Sequence, residues 1–297
     1  MPGQYHTMPS PDLDLSARDF AFLSRLVYDR SRICLGPEKQ QLVAGRLTRH
    51  LRSLGCEGFA AYCALLSTPA GADEIDVLID LITTNHTHFF REQEHFDLLS
   101  RQILPTRVTR AAAERRPLRI WSAAAASGEE PYSLAITLAE FARSHPLPDW
   151  RVYASDISRR MVDRCRLGIY EAAKVQLPTA DMLPRYFRRG FGPREGYYRV
   201  KSEVRRSVLV EAANLFQKTY PVPAALDVIF CRNVMIYFDA DSRTMLVNRL
   251  FEQLVPGGYL VVGHAESLLG LSHRFEQISS SVYSRPASPL RMSPKSR

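Results

Sequence analysis

The chain has 297 residues, 45% apolar and 24% charged, the make-up of a globular protein of one or two domains with a sizeable core rather than of a disordered or fibrous one. Its apolar runs, such as residues 123–126 and 228–230, fall far short of the roughly 20 residues that span a bilayer, and none follows Met1, so the sequence predicts neither secretion nor membrane insertion. The net charge of +8 lies in two patches, six Lys/Arg against one acid from Arg30 to Arg52 and eight against two from Arg185 to Arg206, which leaves nucleic acid, an anionic membrane face or an acidic protein as partners.

In chain order, residues 1–14 carry Pro2, Pro9 and Pro11 and read as a solvated tail, as do residues 286–297. Residues 15–82 place apolar side chains at three- and four-residue spacing (Phe20, Leu23, Leu26, Val27; Leu42, Val43, Leu47, Leu51, Leu54), broken at Gly36-Pro37, Gly55 and Gly71, which predicts a small all-helical domain. Residues 83–116 read as a linker and helix. The linker begins Thr83-Thr84-Asn85-His86-Thr87-His88-Phe89-Phe90-Arg91, either a helix cap at Thr84 or Asn85 beside a satellite apolar cluster or a functional loop. His86 and His88 stand two apart, a spacing for one strand face, with no third ligand evident; no metal is expected. Cys34, Cys56, Cys63, Cys165 and Cys231 show no C-x-x-C spacing, so neither a disulfide framework nor a zinc site is expected, and a reducing cytoplasm fits.

From 117 onward short apolar runs alternate with helical stretches, the rhythm of an α/β, doubly wound parallel sheet over 117–285. An antiparallel β insertion is expected at about 185–211, where three glycines separate β-prone pairs, and a turn at Pro256-Gly257-Gly258 before a final strand. Open parallel sheets bind ligands beyond their strands' carboxyl ends. The first such loop, residues 123–131, is small-sided and leads into a helix N-terminus suited to a polar group, yet holds only Gly128 where a dinucleotide fingerprint needs three glycines, which disfavours a nicotinamide enzyme. Glu129 there favours either a ligand or merely the helix dipole. Asp156, 27 residues on, stands where a carboxylate grips ribose hydroxyls, or serves as an N-cap. Asn214-Leu215 and residues 231–237 close two further loops.

The stretches ITTNHTHFFRE, RIWSAAAASGEEPYSLAITLAE, YASDISRRMVDRCRLGIY, RYFRRGFGPREGYYRV, DVIFCRNVMIYFD and VPGGYLVVGHAESL occur in family order over about 16–285, and by them the chain resembles the CheR-type chemoreceptor glutamate methyltransferases, which use S-adenosylmethionine. That resemblance implies an N-terminal helical domain and a Rossmann-like S-adenosylmethionine domain with an inserted antiparallel β-subdomain. It implies cofactor contacts from Asn85, Thr87, Arg91, Glu129, Asp156, Asn214, Leu215, Arg232 and Asn233, with Arg91 and Tyr237 placed at the transfer. The product would be S-adenosylhomocysteine. Two departures, Ala126-Ser127 and the histidines 86 and 88, remove no ligand position.

The substrate implied is a receptor glutamate, ionised at neutral pH without a general base, and no Ser-His-Asp or Cys-His set stands out. Arg46, Arg49 and Arg52 would dock acidic methylation helices. Arg188, Gly190, Gly192, Arg194 and Gly196 resemble relatives that bind a C-terminal receptor pentapeptide by strand addition. A monomer recruited to membrane receptors, with no nucleic acid and no direct membrane insertion, completes the expectation. An RNA methyltransferase is the alternative enzyme, permitted by the basic patches. A catalytically silent receptor adaptor is the non-enzymatic one, opposed by retention of Arg91, Glu129, Asp156 and Asn214.

Overall fold

Apolar spacing in residues 16–82 produces four helices, α1 (Ala17–Ser31), α2 (Gln40–Ser53), α3 (Phe59–Leu66) and α4 (Ala72–Ile82), in a computed structural model that describes residues 14–287. Apart from residues 14, 286 and 287, both expected tails lie outside the described residues. Ser16 caps α1 by accepting from the Asp19 N–H at 3.1 Å, and Arg32 ends it in the left-handed conformation, φ 61°. Leu23, Val27, Val43, Leu47, Leu51 and Leu78 form the core of this unit. Around it, Glu74 accepts from the Tyr62 hydroxyl at 2.8 Å and meets His50 at 2.6 Å.

The second unit begins at Thr84, so residues 84–116 belong to it. Helix α5 (Glu94–Leu98) passes through a π turn (Leu99–Ile103) into α6 (Leu104–Ala113). Then follow β1 (Leu118–Ala123), α7 (Glu129–Ala142), β2 (Trp150–Asp156), α8 (Arg159–Leu167), β3 (Ile169–Glu171), α9 (Met182–Tyr186), β4 (Phe187–Arg189), β5 (Tyr197–Val200), α10 (Ser202–Arg205) and β6 (Val208–Ala212). The chain closes with β7 (Leu226–Cys231), α11 (Ala240–Gln253), β8 (Leu254–Val261), β9 (Glu276–Ser279) and β10 (Val282–Ser284). The main sheet has seven strands in the order β6-β2-β1-β7-β8-β10-β9, parallel except for β10 and β9. Central β7 is buried at every residue because helices cover both faces, which explains its unbroken apolar run. The chain winds from β1 outward through β2 to β6, then returns to β7 on the other side of β1. That reversal makes the carboxyl ends of β1 and β7 the switch point.

At the opposite end of β7, the fully buried Asp227 carboxylate receives Arg107 at 2.8 Å, Arg116 at 2.7 Å and the Arg119 N–H at 3.0 Å. Two guanidiniums and a backbone donor satisfy a charge whose burial would otherwise be costly.

Two expectations need correction. The small antiparallel sheet is β3-β5-β4, so it draws in Ile169–Glu171 and excludes Val208–Ala212, in place of the expected 185–211. β6 instead pairs in parallel with β2, because its buried Val208 and Val210 fit the apolar face there. Pro256-Gly257-Gly258 is no turn: β8 runs through it with an irregular register, and Gly257 (φ 75°) and Gly258 exchange hydrogen bonds with Arg285. Glu140 of α7 braces the small sheet, accepting from the Tyr186 hydroxyl at 2.5 Å and from Arg185.

Candidate functional site at the switch point

The loop after β1 is bent sharply, with Ala124 and Ala126 both at positive φ (67° and 47°), a conformation that short side chains tolerate at some cost. It is held from outside. Asp156, buried at the end of β2, accepts from Ala126 N–H at 2.8 Å and from Ser158 N–H at 2.9 Å, and the Tyr170 hydroxyl donates to Ser127 O at 2.9 Å. Gly128 has φ 102°, and a Cβ there would stand 2.5 Å from Cys165 Sγ and 2.8 Å from the Tyr170 hydroxyl. Only glycine fits. Asp156 is not an N-cap; Ser158 caps α8, accepting from Met161 N–H at 3.2 Å.

Glu129 opens α7 almost fully buried, takes the Ser127 hydroxyl at 2.7 Å, and is raised in pKa chiefly by burial. Asn214, just past β6, turns its side chain back to accept from Phe216 N–H at 2.8 Å, and Leu215 beside it is buried. Thus the loops after β1, β2 and β6 bring Glu129, Asp156, Asn214 and Leu215 to the carboxyl edge of the sheet.

The linker loop reaches the same edge. Phe89 packs edge-on against Tyr170 (4.9 Å) and Phe187 (5.4 Å), and Phe90 N–H donates to the Ser133 hydroxyl at 2.9 Å. These anchors leave Asn85, Thr87 and Arg91 half-buried, with Arg91 donating to His86 O at 2.9 Å. His86 and His88 remain exposed.

Arg232, expected to line the cofactor cleft, has a side chain only 1% exposed and turned into the protein. It donates to Arg91 O at 2.5 Å, Glu92 at 2.9 Å and Glu130 at 3.0 Å, and lies over the Phe96 and Phe230 rings. Asn233 stands at φ 58°, its amide donating to Glu92 at 3.2 Å and its N–H to Glu266 at 2.6 Å. Glu266 also accepts from Met235 N–H and Gly263 N–H, both at 2.7 Å, so one buried carboxylate shapes the whole turn after β7. Tyr237, in the short 3-10 turn that follows, is half-buried, and its hydroxyl has no hydrogen-bond partner among the described residues.

Glu92, Glu130 and Glu266 were not singled out from sequence, although each stands inside a motif noticed there. Burial opposes ionisation of Glu92, but Arg232, Asn233 and His264 N–H overcome it and bring its pKa to about 2. In Glu130 burial outweighs Arg232 and raises the pKa. His95, buried beside this corner, is pushed down to about 4 by burial and then by Arg232.

In the helical unit, Arg49 and Arg52 are exposed, whereas Arg46 turns to the end of α4 and donates to the carbonyls of Ile82 and Thr83. The three-residue step keeps the arginines on neighbouring positions, but Arg46 is half-buried in that contact and only Arg49 and Arg52 stand exposed. In the small sheet β4 is an edge strand, with Arg188 on it and Gly190, Gly192, Arg194 and Gly196 in the connection to β5. No helix among the described residues is long and apolar enough to cross a membrane.

A family model described as the CheR methyltransferase, SAM binding domain, matches residues 85–284, and one described as the CheR methyltransferase, all-alpha domain, matches residues 18–83. The chemotaxis protein methyltransferase of Escherichia coli K12 is 42% identical over 271 residues, spanning 91% of this chain and 92% of the relative. The corresponding Salmonella typhimurium LT2 protein is 40% identical over 271 residues, 91% of each chain. Chemotaxis protein methyltransferase 2 of Pseudomonas aeruginosa PAO1 is 39% identical over 281 residues, 93% of this chain and 98% of the relative.

Proposed function

The chain belongs to the CheR methyltransferase family, with S-adenosylmethionine as its cofactor, and on that footing we propose that it methylates glutamate side-chain carboxylates of chemotaxis receptors, giving methyl esters. The observation that carries the reading is the double clamp on Glu92, which receives both Arg232 and Asn233 and so ties the Arg91 loop to the Tyr237 turn at the switch point. Asp156, buried at the carboxyl end of β2, holds the ribose hydroxyls. Glu129 meets the methionyl end, Asn214 and Leu215 bound the adenosyl part, and Asn85 and Thr87 lie on the linker side.

Bound S-adenosylmethionine supplies an electrophilic methyl on a sulfonium. The receptor carboxylate needs no base, having an ordinary pKa of about 4.3, so the protein's task is alignment and exclusion of water. Arg91 draws in the carboxylate by charge and Tyr237, with its unengaged hydroxyl, fixes its orientation. Positioning of this kind contributes roughly 7–11 kcal/mol to a barrier.

Arg49 and Arg52 steer acidic methylation helices to the enzyme, and the free edge of β4 takes a receptor's C-terminal pentapeptide by strand addition, its arginines facing the terminal carboxylate. The protein acts as a monomer at membrane receptors. Incubation with labelled S-adenosylmethionine and receptor-bearing membranes should label receptors with a methyl that base releases as methanol. Label that resists base, or that appears in RNA instead, refutes the assignment.

A further inference from the structure

Beside the proposed methyl-transfer set, and sharing Glu92 with it, Glu92, His95 and His264 converge from the linker loop, α5 and the segment after β8, one ligand atom of each lying within 4.8 Å of the others. His95 Nδ1 stands 3.4 Å from Glu92 Oε2. Two ligands each about 2.1 Å from a tetrahedral zinc ion are separated by about 3.4 Å, so the spacing of that pair already suits such an ion.

His95 Nε2 lies 2.6 Å from the Ser281 hydroxyl, which can accept from it and so leave Nδ1 as the ligand nitrogen. His95 is 3% exposed, yet its Nδ1 has no hydrogen-bond partner although it faces a carboxylate. In the tautomer with Nε2–H donating to Ser281, the Nδ1 lone pair faces the Glu92 carboxylate, and a cation between them would be held by both. His264 is exposed and opens the cluster to solvent, while its ring packs edge-on to His95 at 4.7 Å. Three carboxylates, Glu92, Glu130 and Glu266, gather around the Arg232–Asn233 corner, against the single guanidinium of Arg232.

We infer that Glu92, His95 and His264 form a binding site for a transition-metal ion of the Zn2+ or Co2+ class, with two imidazoles, one carboxylate and a fourth position left to solvent. A bound ion competes with Arg232 and Asn233 for Glu92, so occupancy opposes methyl transfer; this last consequence rests on the proposed function, whereas binding does not.

Co2+ titrated into chelator-treated, tag-free full-length protein should give visible absorption saturating at one ion per chain and bleached by Zn2+. The exposed His264→Ala change should weaken binding more than about tenfold, and Ser281→Ala, which touches only the outer nitrogen of His95, by about 10–100-fold. An exposed histidine elsewhere, changed in His145→Ala, should have no effect. Absence of a saturating spectrum in the wild type, retention of it in His264→Ala, or its loss in Cys34→Ser instead would overturn the site. Binding with no inhibition of methyl transfer would leave the site standing and remove its opposition to catalysis.

Discussion

The Arg232 guanidinium donates to the backbone carbonyl of Arg91 at 2.5 Å, so a residue turned away from solvent sets the position of the one proposed to draw in the substrate carboxylate. Arg232→Ala would leave the largely covered Glu92 and Glu130 without their cation. Breaking such a pair costs about 3–5 kcal/mol, which urea unfolding should register, together with loss of turnover. An unchanged unfolding midpoint would show that Arg232 is not the strut described.

Asp156→Asn exchanges a carboxylate for an amide at a position that already serves two backbone donors. Hydrogen bonds to a charged acceptor are worth about 1.5–3 kcal/mol, so S-adenosylmethionine and S-adenosylhomocysteine affinity should both fall by roughly 10–150-fold in calorimetry. Loss of stability with affinity intact would confine Asp156 to bracing the Ala124–Ala126 bend.

Tyr237→Phe removes a hydroxyl that none of the described residues engages, so folding should be untouched. Turnover should drop by about 10² while cofactor affinity holds, as for the loss of one preorganised donor. Equal kcat in the variant would take Tyr237 out of the transfer step.

Charge reversal at Arg49 and Arg52 should raise KM for receptor and flatten its salt dependence, with kcat preserved. Arg46→Glu should behave differently, lowering the melting temperature, because Arg46 is tied to the end of α4. Identical behaviour of all three variants would contradict that division.

Burial acts to raise the Glu140 pKa, but the Tyr186 hydroxyl and Arg185 bring it below the usual carboxylate value of 4.5. Since the folded value is the lower one, its stabilising contribution is complete above about pH 4.5 and fades as pH falls through the folded pKa. Glu140→Gln should therefore cost stability at pH 7 and progressively less below pH 4, measured by thermal unfolding. A constant difference across that range would exclude the ionic component.

The helices of residues 16–82 were legible because each buries a stripe at helical spacing, and β1, β2 and β7 because both faces of a parallel sheet are covered. β3 escaped notice: three residues, Ile169–Glu171, carry too little pattern to separate from the end of α8. In the candidate site, Asp156 and Glu129 were visible from their loop positions. Glu92 was not, since its partners Arg232 and Asn233 lie 140 and 141 residues away and a long-range pair leaves no local signature. Arg232 was legible as a motif residue, but its inward direction follows from Glu92 and Glu130, which only folding brings beside it.

Both ends of β7 are moored to the stretch before β1: Asp227 to Arg107 and Arg116 at one, Arg232 to Glu92 at the other. A chimaera that imports a foreign helical module must therefore be spliced between Thr83 and Thr84. A splice near residue 116 would strip both moorings from the strand, leaving the Asp227 carboxylate without its guanidiniums and Arg232 with Glu130 as its one acidic partner among those described.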